Sequence, residues 1–407
     1  MTKIIFVIAD GLGDRPIKEF SFKTPLEVAN TPNLDNLAKE GITGLMHTVD
    51  RGIRPGSDIA HLSLFGYDYQ KYYPGRGVFE VLGIPMELKK GDIAFRGNLA
   101  TIDDRGVIID RRAGRIESSL LIPKRMKVNI EDVTFFLEPS VLHRVGVVMR
   151  GKNLTSDIYD IDPHEEGVTP NRKIAKNKSI SSRRTEIILN KFMDYMHDYL
   201  SKNPENIKRK KQGLSYANFL NLRGPGEYKE APSFLEKYGL KACCISGADL
   251  YKGIAKYLGM DVINVEGANG RIDTNLNAKI NEAIRRLDSY DFIFVHMKFA
   301  DSLAEIGDFE GKKKFIERID VSLSPLLKLE DTVVFFSGDH STSSKLKMHT
   351  GDPVPALIWG PKEMILRDKV ENFGERACQE GGLGHFRGIT LMNELFNIIG
   401  KQHLIGD

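Results

Sequence analysis

Residues 4 to 9 read Ile-Ile-Phe-Val-Ile-Ala, an unbroken apolar run that stops at Asp10-Gly11. A strand with one wet face alternates apolar and polar side chains, so a run without alternation must be covered on both faces. Six residues suit a strand better than a helix, and the β-branched side chains fit a pleated surface. Similar runs recur at Ala242 to Ile245, Val262 to Val265, Phe292 to Val295, Thr332 to Phe336 and Pro355 to Trp359. Helical patterns lie between them: about Asp249 to Leu258, a helix capped by Asp273-Thr274 that runs to about Leu287, the stretch around Phe315 to Leu327, and Thr390 to Ile399. Near the start, Thr31 as N-cap and Pro32 at the first helical position open another helix. Its apolar face is Leu34, Leu37 and Ala38, and Gly41 ends it. Strands alternating with helices predict the α/β class, with a mainly parallel sheet flanked by helices.

The middle of the chain reads differently. Ile93 to Ile102 and Val107 to Asp110 flank Asp103-Asp104-Arg105-Gly106, which is turn chemistry. Val133 to Phe136 and Val145 to Val148 are further strands, and Arg184 to Leu200 is a long amphipathic helix carrying Ile188, Phe192, Met196 and Tyr199. Hairpins with few helices predict an α+β unit. The expected organisation is an α/β domain made of residues 1–85 and 233–407, with an inserted α+β domain at 86–232. Pro85 and Gly224-Pro225-Gly226 sit near the two hinges.

The 407 residues are 41% hydrophobic and 28% charged, a soluble globular balance with enough apolar material for a sizeable core. A net charge of +3 gives no reason to expect nucleic acid or an anionic membrane surface. Lys208-Arg209-Lys210-Lys211 is read as a solvated loop following the helix that ends near Leu200. Three cysteines, two of them adjacent, make no disulfide framework and point to a reducing compartment; Cys243 and Cys244 read as buried packing. No stretch approaches the about 18 apolar residues of a membrane span, and the N-terminal run is too short for a signal segment. A cytoplasmic protein is expected.

Ligands in α/β sheets collect beyond the carboxyl ends of strands. Asp10 follows the first strand, Asp301 follows the Phe292 strand, and Asp339-His340 follows the Thr332 strand, with His349 shortly after. Carboxylates mixed with imidazoles suit Mn²⁺, Zn²⁺ or related ions, whereas Mg²⁺ usually takes oxygen. Each residue taken singly has a plainer role: an Asp at a strand end caps helices, and a lone His is usually structural. Their convergence on one sheet edge is what predicts a metal site. Ser57, in Arg54-Pro55-Gly56-Ser57-Asp58, is the candidate nucleophile; by spacing alone it serves equally well as a helix N-cap.

A run of motifs covers nearly the whole chain in order. Asp10-Gly11-Leu12-Gly13-Asp14-Arg15-Pro16, Lys23-Thr24-Pro25-Leu26-Glu27, Pro55-Gly56-Ser57-Asp58 with Ala60-His61-Leu62-Ser63, and Gly75-Arg76-Gly77 come first. Phe95-Arg96-Gly97-Asn98, Asp110-Arg111-Arg112-Ala113-Gly114-Arg115-Ile116, Gly338-Asp339-His340-Ser341-Thr342, His349-Thr350-Gly351-Asp352-Pro353 and Phe373-Gly374-Glu375 to Gly384 follow. Together they resemble the archaeal-type cofactor-independent phosphoglycerate mutases of the alkaline phosphatase superfamily. The resemblance implies an alkaline-phosphatase-like sheet with an inserted domain. It also implies interconversion of 3- and 2-phosphoglycerate, a step of glycolysis and gluconeogenesis, through a phosphoserine at Ser57. Two divalent ions are implied, Mn²⁺ first and Co²⁺, Zn²⁺ or Mg²⁺ next, with no 2,3-bisphosphoglycerate. One ion would sit on Asp10, Ser57, Asp339 and His340. The other would sit on Asp301 and His349, with Glu305 standing where family members have a histidine. His61, Arg96, Arg111, Arg115, Arg144, Arg223 and Lys298 are the implied substrate-binding residues, and the inserted domain would exclude water. The implied partner is small-molecule phosphoglycerate; homo-oligomerisation is left open. Two other functions share these residues: a phosphate or phosphonate ester hydrolase of the same superfamily, and a degenerate mutase kept for binding.

Overall fold

The computed structural model describes residues 2–402 and 404. The chain divides into one unit of residues 1–73 and 231–407 and a second of residues 74–230. The expected boundaries were 85/86 and 232/233. The first differs because the helix Arg76–Leu82 belongs with the second unit, where it packs on the strands Ile93–Ile102 and Phe219–Glu227. Gly224-Pro225-Gly226, read as a hinge, continues that last strand.

In the first unit the apolar runs form an eight-stranded sheet. Its order is Asp261–Val262, Ala242–Ile245, Phe292–Met297, Lys3–Ala9, Thr332–Ser337, Val354–Trp359, Ile42–His47 and Gly384–Arg387. Only Val354–Trp359 runs antiparallel to its neighbours. The α/β class with a mainly parallel, helix-flanked sheet is therefore observed. Lys3–Ala9 lies central, paired with the Phe292 and Thr332 strands on either side, and its residues 4 to 9 are fully buried. Burial of each Ile, Val or Phe there contributes about 1.5–3 kcal/mol, which is why the run tolerates no polar residue. Phe6 packs on Phe65 and Phe335 on one face; Ile5 and Val7 join the core on the other. The three cysteines are free and buried.

Several local expectations are corrected. Val262 to Val265 is a strand only at Asp261–Val262. The helix expected from Asp273-Thr274 spans Leu276–Arg286, because the Asn275 side chain accepts from Ala278 N and so sets the start two residues later. The helix around Phe315 begins at Phe309, capped by Asp308, and after Leu323 tightens into a 3-10 turn entered at Ser324-Pro325. Thr31 stands at the N-cap of Pro32–Lys39 but makes no side-chain cap bond. The basic run 208–211 is not a loop. It ends the helix Pro204–Lys211, which Asn203 caps and Pro204 enters, and its cations sit favourably at the C-terminal dipole.

The second unit is built on the antiparallel strands Ile93–Ile102, Met126–Ile130, Val133–Pro139, Arg144–Arg150 and Phe219–Glu227. The helix Ile180–Ser201 covers one face, with Phe192 stacked on Phe135 at 3.9 Å. On the other face, register sets Arg96 opposite Arg223 and Asn98 opposite both Arg144 and Asn221.

Candidate metal centre

The carboxyl ends of the Lys3, Phe292 and Thr332 strands deliver Asp10, Asp301 and Asp339 side by side, each almost fully buried. Backbone fixes the loops. Asp301 N donates to Asp10 O at 2.9 Å, and Gly11 N donates to Asp339 Oδ1 at 3.1 Å. Gly11 takes φ +69°, and a Cβ there would lie 2.7 Å from the Asp301 Cα, so only glycine lets these two loops meet.

Neither Asp10 nor Asp339 caps a helix. The Asp10 Oδ2 atom accepts from Tyr251 Oη at 2.5 Å and from Lys298 Nζ at 2.9 Å, while Oδ1 is buried without a partner. Asp339 likewise has Oδ1 bonded and Oδ2 bare. The two bare oxygens converge on His340 Nε2, 3.5 Å from Asp10 Oδ1 and 3.3 Å from Asp339 Oδ2. Ser57 Oγ is 3.1 Å from the same nitrogen. Ligands about 2.0–2.1 Å from a tetrahedral ion stand roughly 3.3 Å apart, and the three oxygens stand at that spacing from His340 Nε2. Two uncompensated carboxylate oxygens in a dry interior would each be costly; a divalent cation between them removes that cost.

Ser57 is the first residue of the helix Ser57–Leu64, and the N-cap is Gly56. The capping alternative for Ser57 is therefore overturned: its hydroxyl faces His340. The hydrogen-bond network assigns the imidazole tautomer. Thr342 donates its one hydroxyl proton to Asp301 Oδ1 at 2.9 Å, so His340 Nδ1 donates to Thr342 Oγ1 at 3.0 Å. His340 Nε2 is then the acceptor for the Ser57 hydroxyl. Burial, and then His349, pull His340 down to about 3, so the ring is neutral and its lone pair is available. Burial likewise brings His61 to about 4. His61 Nδ1 donates to the Ser57 carbonyl at 2.7 Å, leaving Nε2 buried and unpaired.

A second group of donors lies next door. Asp301, His340 and His349 offer ligand atoms within 4.8 Å of one another, as do Asp10, Asp339 and His340. His349 Nε2 is 3.3 Å from Asp301 Oδ1, its Nδ1 donates to Pro55 O, and its ring stacks on His340 at 3.7 Å. Glu305 belongs to neither group. It stands in the helix Ala300–Ile306 at the edge of the site, and its carboxyl is pushed up by reduced hydration on that side and by the charge of Asp301. Lys298 bridges the two groups, 2.9 Å from Asp10 and 3.6 Å from Asp301.

The guanidiniums stand together in the second unit. Glu80 Oε1 accepts from Arg96 at 3.1 Å and Arg76 at 3.3 Å, with Arg144 close enough to act on its charge. Asp162 takes a two-pronged bond from Arg111, at 3.1 and 2.7 Å, and has Arg223 at 3.9 Å. Arg115 is exposed beside His143. The guanidiniums outnumber the carboxylates Glu80, Asp160 and Asp162 around them, which leaves the cluster cationic, as an anion receptor requires. Sequence reading did not single out Tyr251, Glu80, Asp162 or Thr342. Thr342 alone carried a signal, standing in a matched motif.

Residues 2–398 match the model of the metalloenzyme superfamily. The chain is 44% identical to the 2,3-bisphosphoglycerate-independent phosphoglycerate mutase 1 of Archaeoglobus fulgidus, over 98% of this chain and 99% of that one. Among solved structures it is similar to the PH0037 protein of Pyrococcus horikoshii, with TM-score 0.84, 35% identity, and coverage of 100% and 99% of the two chains. It is also similar to the cofactor-independent phosphoglycerate mutase of Thermoplasma acidophilum, with TM-score 0.70, 35% identity, and coverage of 98% and 100%.

Proposed function

The chain belongs to the metalloenzyme superfamily and is an isomerase of its 2,3-bisphosphoglycerate-independent phosphoglycerate mutase group, and from that premise we propose a phosphoserine mechanism at Ser57 supported by two divalent ions. The observation that carries it is the Ser57 hydroxyl at 3.1 Å from His340 Nε2, beside the bare oxygens of Asp10 and Asp339. Asp10, Ser57, Asp339 and His340 would hold one ion, and Asp301 and His349 the other, with Glu305 as an outer carboxylate. Bound there, Mn²⁺ (or Co²⁺, Zn²⁺ or Mg²⁺) favours the serine alkoxide and screens an incoming phosphate.

Ser57 Oγ gives up its proton as it attacks the phosphorus of 3-phosphoglycerate in line. The bond from phosphorus to the substrate's 3-oxygen breaks, and that oxygen takes up a proton. Glycerate then turns, its 2-hydroxyl gives up a proton as its oxygen attacks the phosphoserine, the bond from phosphorus to Ser57 Oγ breaks, and the serine is reprotonated as 2-phosphoglycerate forms. Ser57 sits at a helix N-terminus, whose free N–H groups suit a transferred phosphoryl group. Lys298 and the neutral His61 lie at the same site and serve the transferred group. Arg96, Arg111, Arg144, Arg223 and Arg115 suit the substrate's carboxylate and phosphate through their planar forks. We assign that reaction to glycolysis and gluconeogenesis and propose the cytoplasm as its compartment. Among the described residues no helix is long and apolar enough to cross a membrane.

The test is an enolase-coupled assay on protein stripped of metal and reconstituted in turn with Mn²⁺, Co²⁺, Zn²⁺ and Mg²⁺, with released phosphate measured in parallel. Formation of 2-phosphoglycerate without stoichiometric phosphate supports the mutase. Phosphate release alone makes the enzyme a hydrolase, and full activity after exhaustive chelation removes the metal from the mechanism.

A further inference from the structure

We propose that Tyr251 is a positioning residue for the metal centre: with Lys298 it occupies one oxygen of Asp10, so that the carboxylate presents only the other to an ion. The inference rests on the reading of Asp10 and Asp339 as ligands.

Tyr251 lies in the first turn of the helix Asp249–Tyr257 and is 1% exposed. A phenol is not placed in a dry interior without a partner for its hydroxyl. Here that partner is Asp10 Oδ2, at 2.5 Å, among the shortest side-chain bonds at the site. The ring is fixed independently of the hydroxyl. It stacks on the buried His296 with centroids 3.4 Å apart and planes at 22°, and it touches His61 at 4.9 Å. His296 has no hydrogen-bond partner on either nitrogen, and its Nε2 stands 3.7 Å from Asp10 Oδ2, too far to bond. So the imidazole serves as a packing surface for the phenol, and the phenol supplies the contact to the carboxylate.

Lys298 reaches the same Oδ2 from the segment after the Phe292 strand, at 2.9 Å. Two donors arriving from different elements fill the lone pairs of Oδ2 and fix the plane of the carboxylate. Oδ1, buried and bare, then points at His340 Nε2. A carboxylate held this way binds an ion through one oxygen. Without the phenol, Oδ2 regains a lone pair, and the group can rotate to chelate or turn away. Groups that orient a metal ligand typically contribute 10–100-fold in affinity.

The variant is Tyr251→Phe, which keeps the ring and its stack on His296; Tyr251→Leu is the second variant should the first not fold. Mn²⁺ and Co²⁺ affinities are measured on the full-length chain by competition with a chelating dye, alongside the visible spectrum of the Co²⁺ protein. Circular dichroism and melting of the metal-free proteins serve as the control. The expected result is affinity lower by roughly 10–100-fold and a changed Co²⁺ spectrum, with the metal-free fold unchanged. Wild-type affinity and an unchanged spectrum in the variant overturn the proposal. A wild-type chain that binds neither ion, or an Asp339→Asn variant that binds both as wild type does, overturns the ligand reading itself.

Discussion

Ser57 Oγ and His340 Nε2 face each other at 3.1 Å across 283 residues of sequence, and the helix that Ser57 begins is capped by Gly56 instead. Removing the hydroxyl therefore costs the fold little and the chemistry everything. Ser57→Ala is expected to melt within a few degrees of wild type and to lose mutase turnover by at least 10³-fold on the order of what loss of a nucleophile brings. Phosphorylated protein trapped with substrate should vanish with it, as read by intact mass. Retained turnover would remove the covalent mechanism.

Glu305 adds a negative charge next to a site already rich in carboxylates. Reduced hydration, then Asp301, raise its carboxyl above the ordinary value, because the charge faces Asp301. Glu305→His replaces that charge by a neutral donor. The expected outcome is weaker binding of the second ion by about tenfold, the factor that about 1.4 kcal/mol carries, because a neighbouring carboxylate attracts the cation. Metal content after dialysis at a fixed low Mn²⁺ concentration checks it; unchanged stoichiometry would show that Glu305 has no influence on the second site.

How much of this centre was legible in the sequence depended on where a residue lies relative to a strand. Asp10 directly ends an apolar run, and Asp339 and Asp301 follow two others within a few residues, so strand geometry brings all three to one edge. Tyr251 could not be read this way. Its role depends on a helix from one part of the chain folding over a loop 241 residues away. Lys312 begins Lys312-Lys313-Lys314, which looks like a solvated charge run, yet it is fully buried. Glu80 sits four residues after Arg76, an ordinary surface spacing, and only the facing strand with Arg96 encloses it. The strand Ile42–His47 escaped notice because Thr43 and Gly44 interrupt its apolar pattern. Binary patterning reports which elements form; the polar partners inside them are fixed by tertiary packing.

Glu80 is nearly buried between Arg96 and Arg76. Burial works to raise its carboxyl, but the guanidiniums outweigh it and hold it at about 2. Glu80→Ala leaves Arg96 buried without its partner, which typically costs about 3–5 kcal/mol. The linkage sign follows from a depressed acid. The contribution is complete above the ordinary value of 4.5 and is lost as pH falls toward about 2. Urea unfolding of Glu80→Gln against wild type should differ at pH 7 and converge toward pH 2; a constant difference across that window would refute the pairing.

Glu375 has the opposite sign. Its oxygens accept from Thr24 Oγ1 at 2.6 Å and Asp14 N at 3.1 Å, yet burial dominates and pushes the carboxyl up to about 7. A raised acid binds its proton more tightly folded than unfolded. Its stabilisation is full below the ordinary 4.5 and disappears as pH rises through about 7. Melting followed from pH 5 to pH 8 should show a decline of roughly 1–3 kcal/mol that is absent from Glu375→Gln. Parallel curves for the two proteins would assign the decline elsewhere.

Lys312 Nζ donates to Gly13 O at 2.9 Å, Asp14 Oδ2 at 3.0 Å and Thr342 O at 3.0 Å, so all three of its protons are used inside a dry interior. Asp14 is equally satisfied, accepting also from Ser344 N and Oγ and from Arg15 N. The pair ties the loop after Asp10 to the loop after His340. Lys312→Met keeps the length of the side chain and removes the charge, which leaves Asp14 buried against two bare carbonyls. Breaking one partner of such a pair costs about 3–5 kcal/mol. Replacing both, as Lys312→Met with Asp14→Leu, should recover part of that loss, because no uncompensated charge remains. The same double variant should still bind Mn²⁺ less tightly than wild type, because the loops bearing Asp10 and His340 have lost their tie. Denaturant melts of the single and double variants read the first effect and dye competition the second. A double variant no more stable than the single one would show that Lys312 stabilises the loops by packing alone.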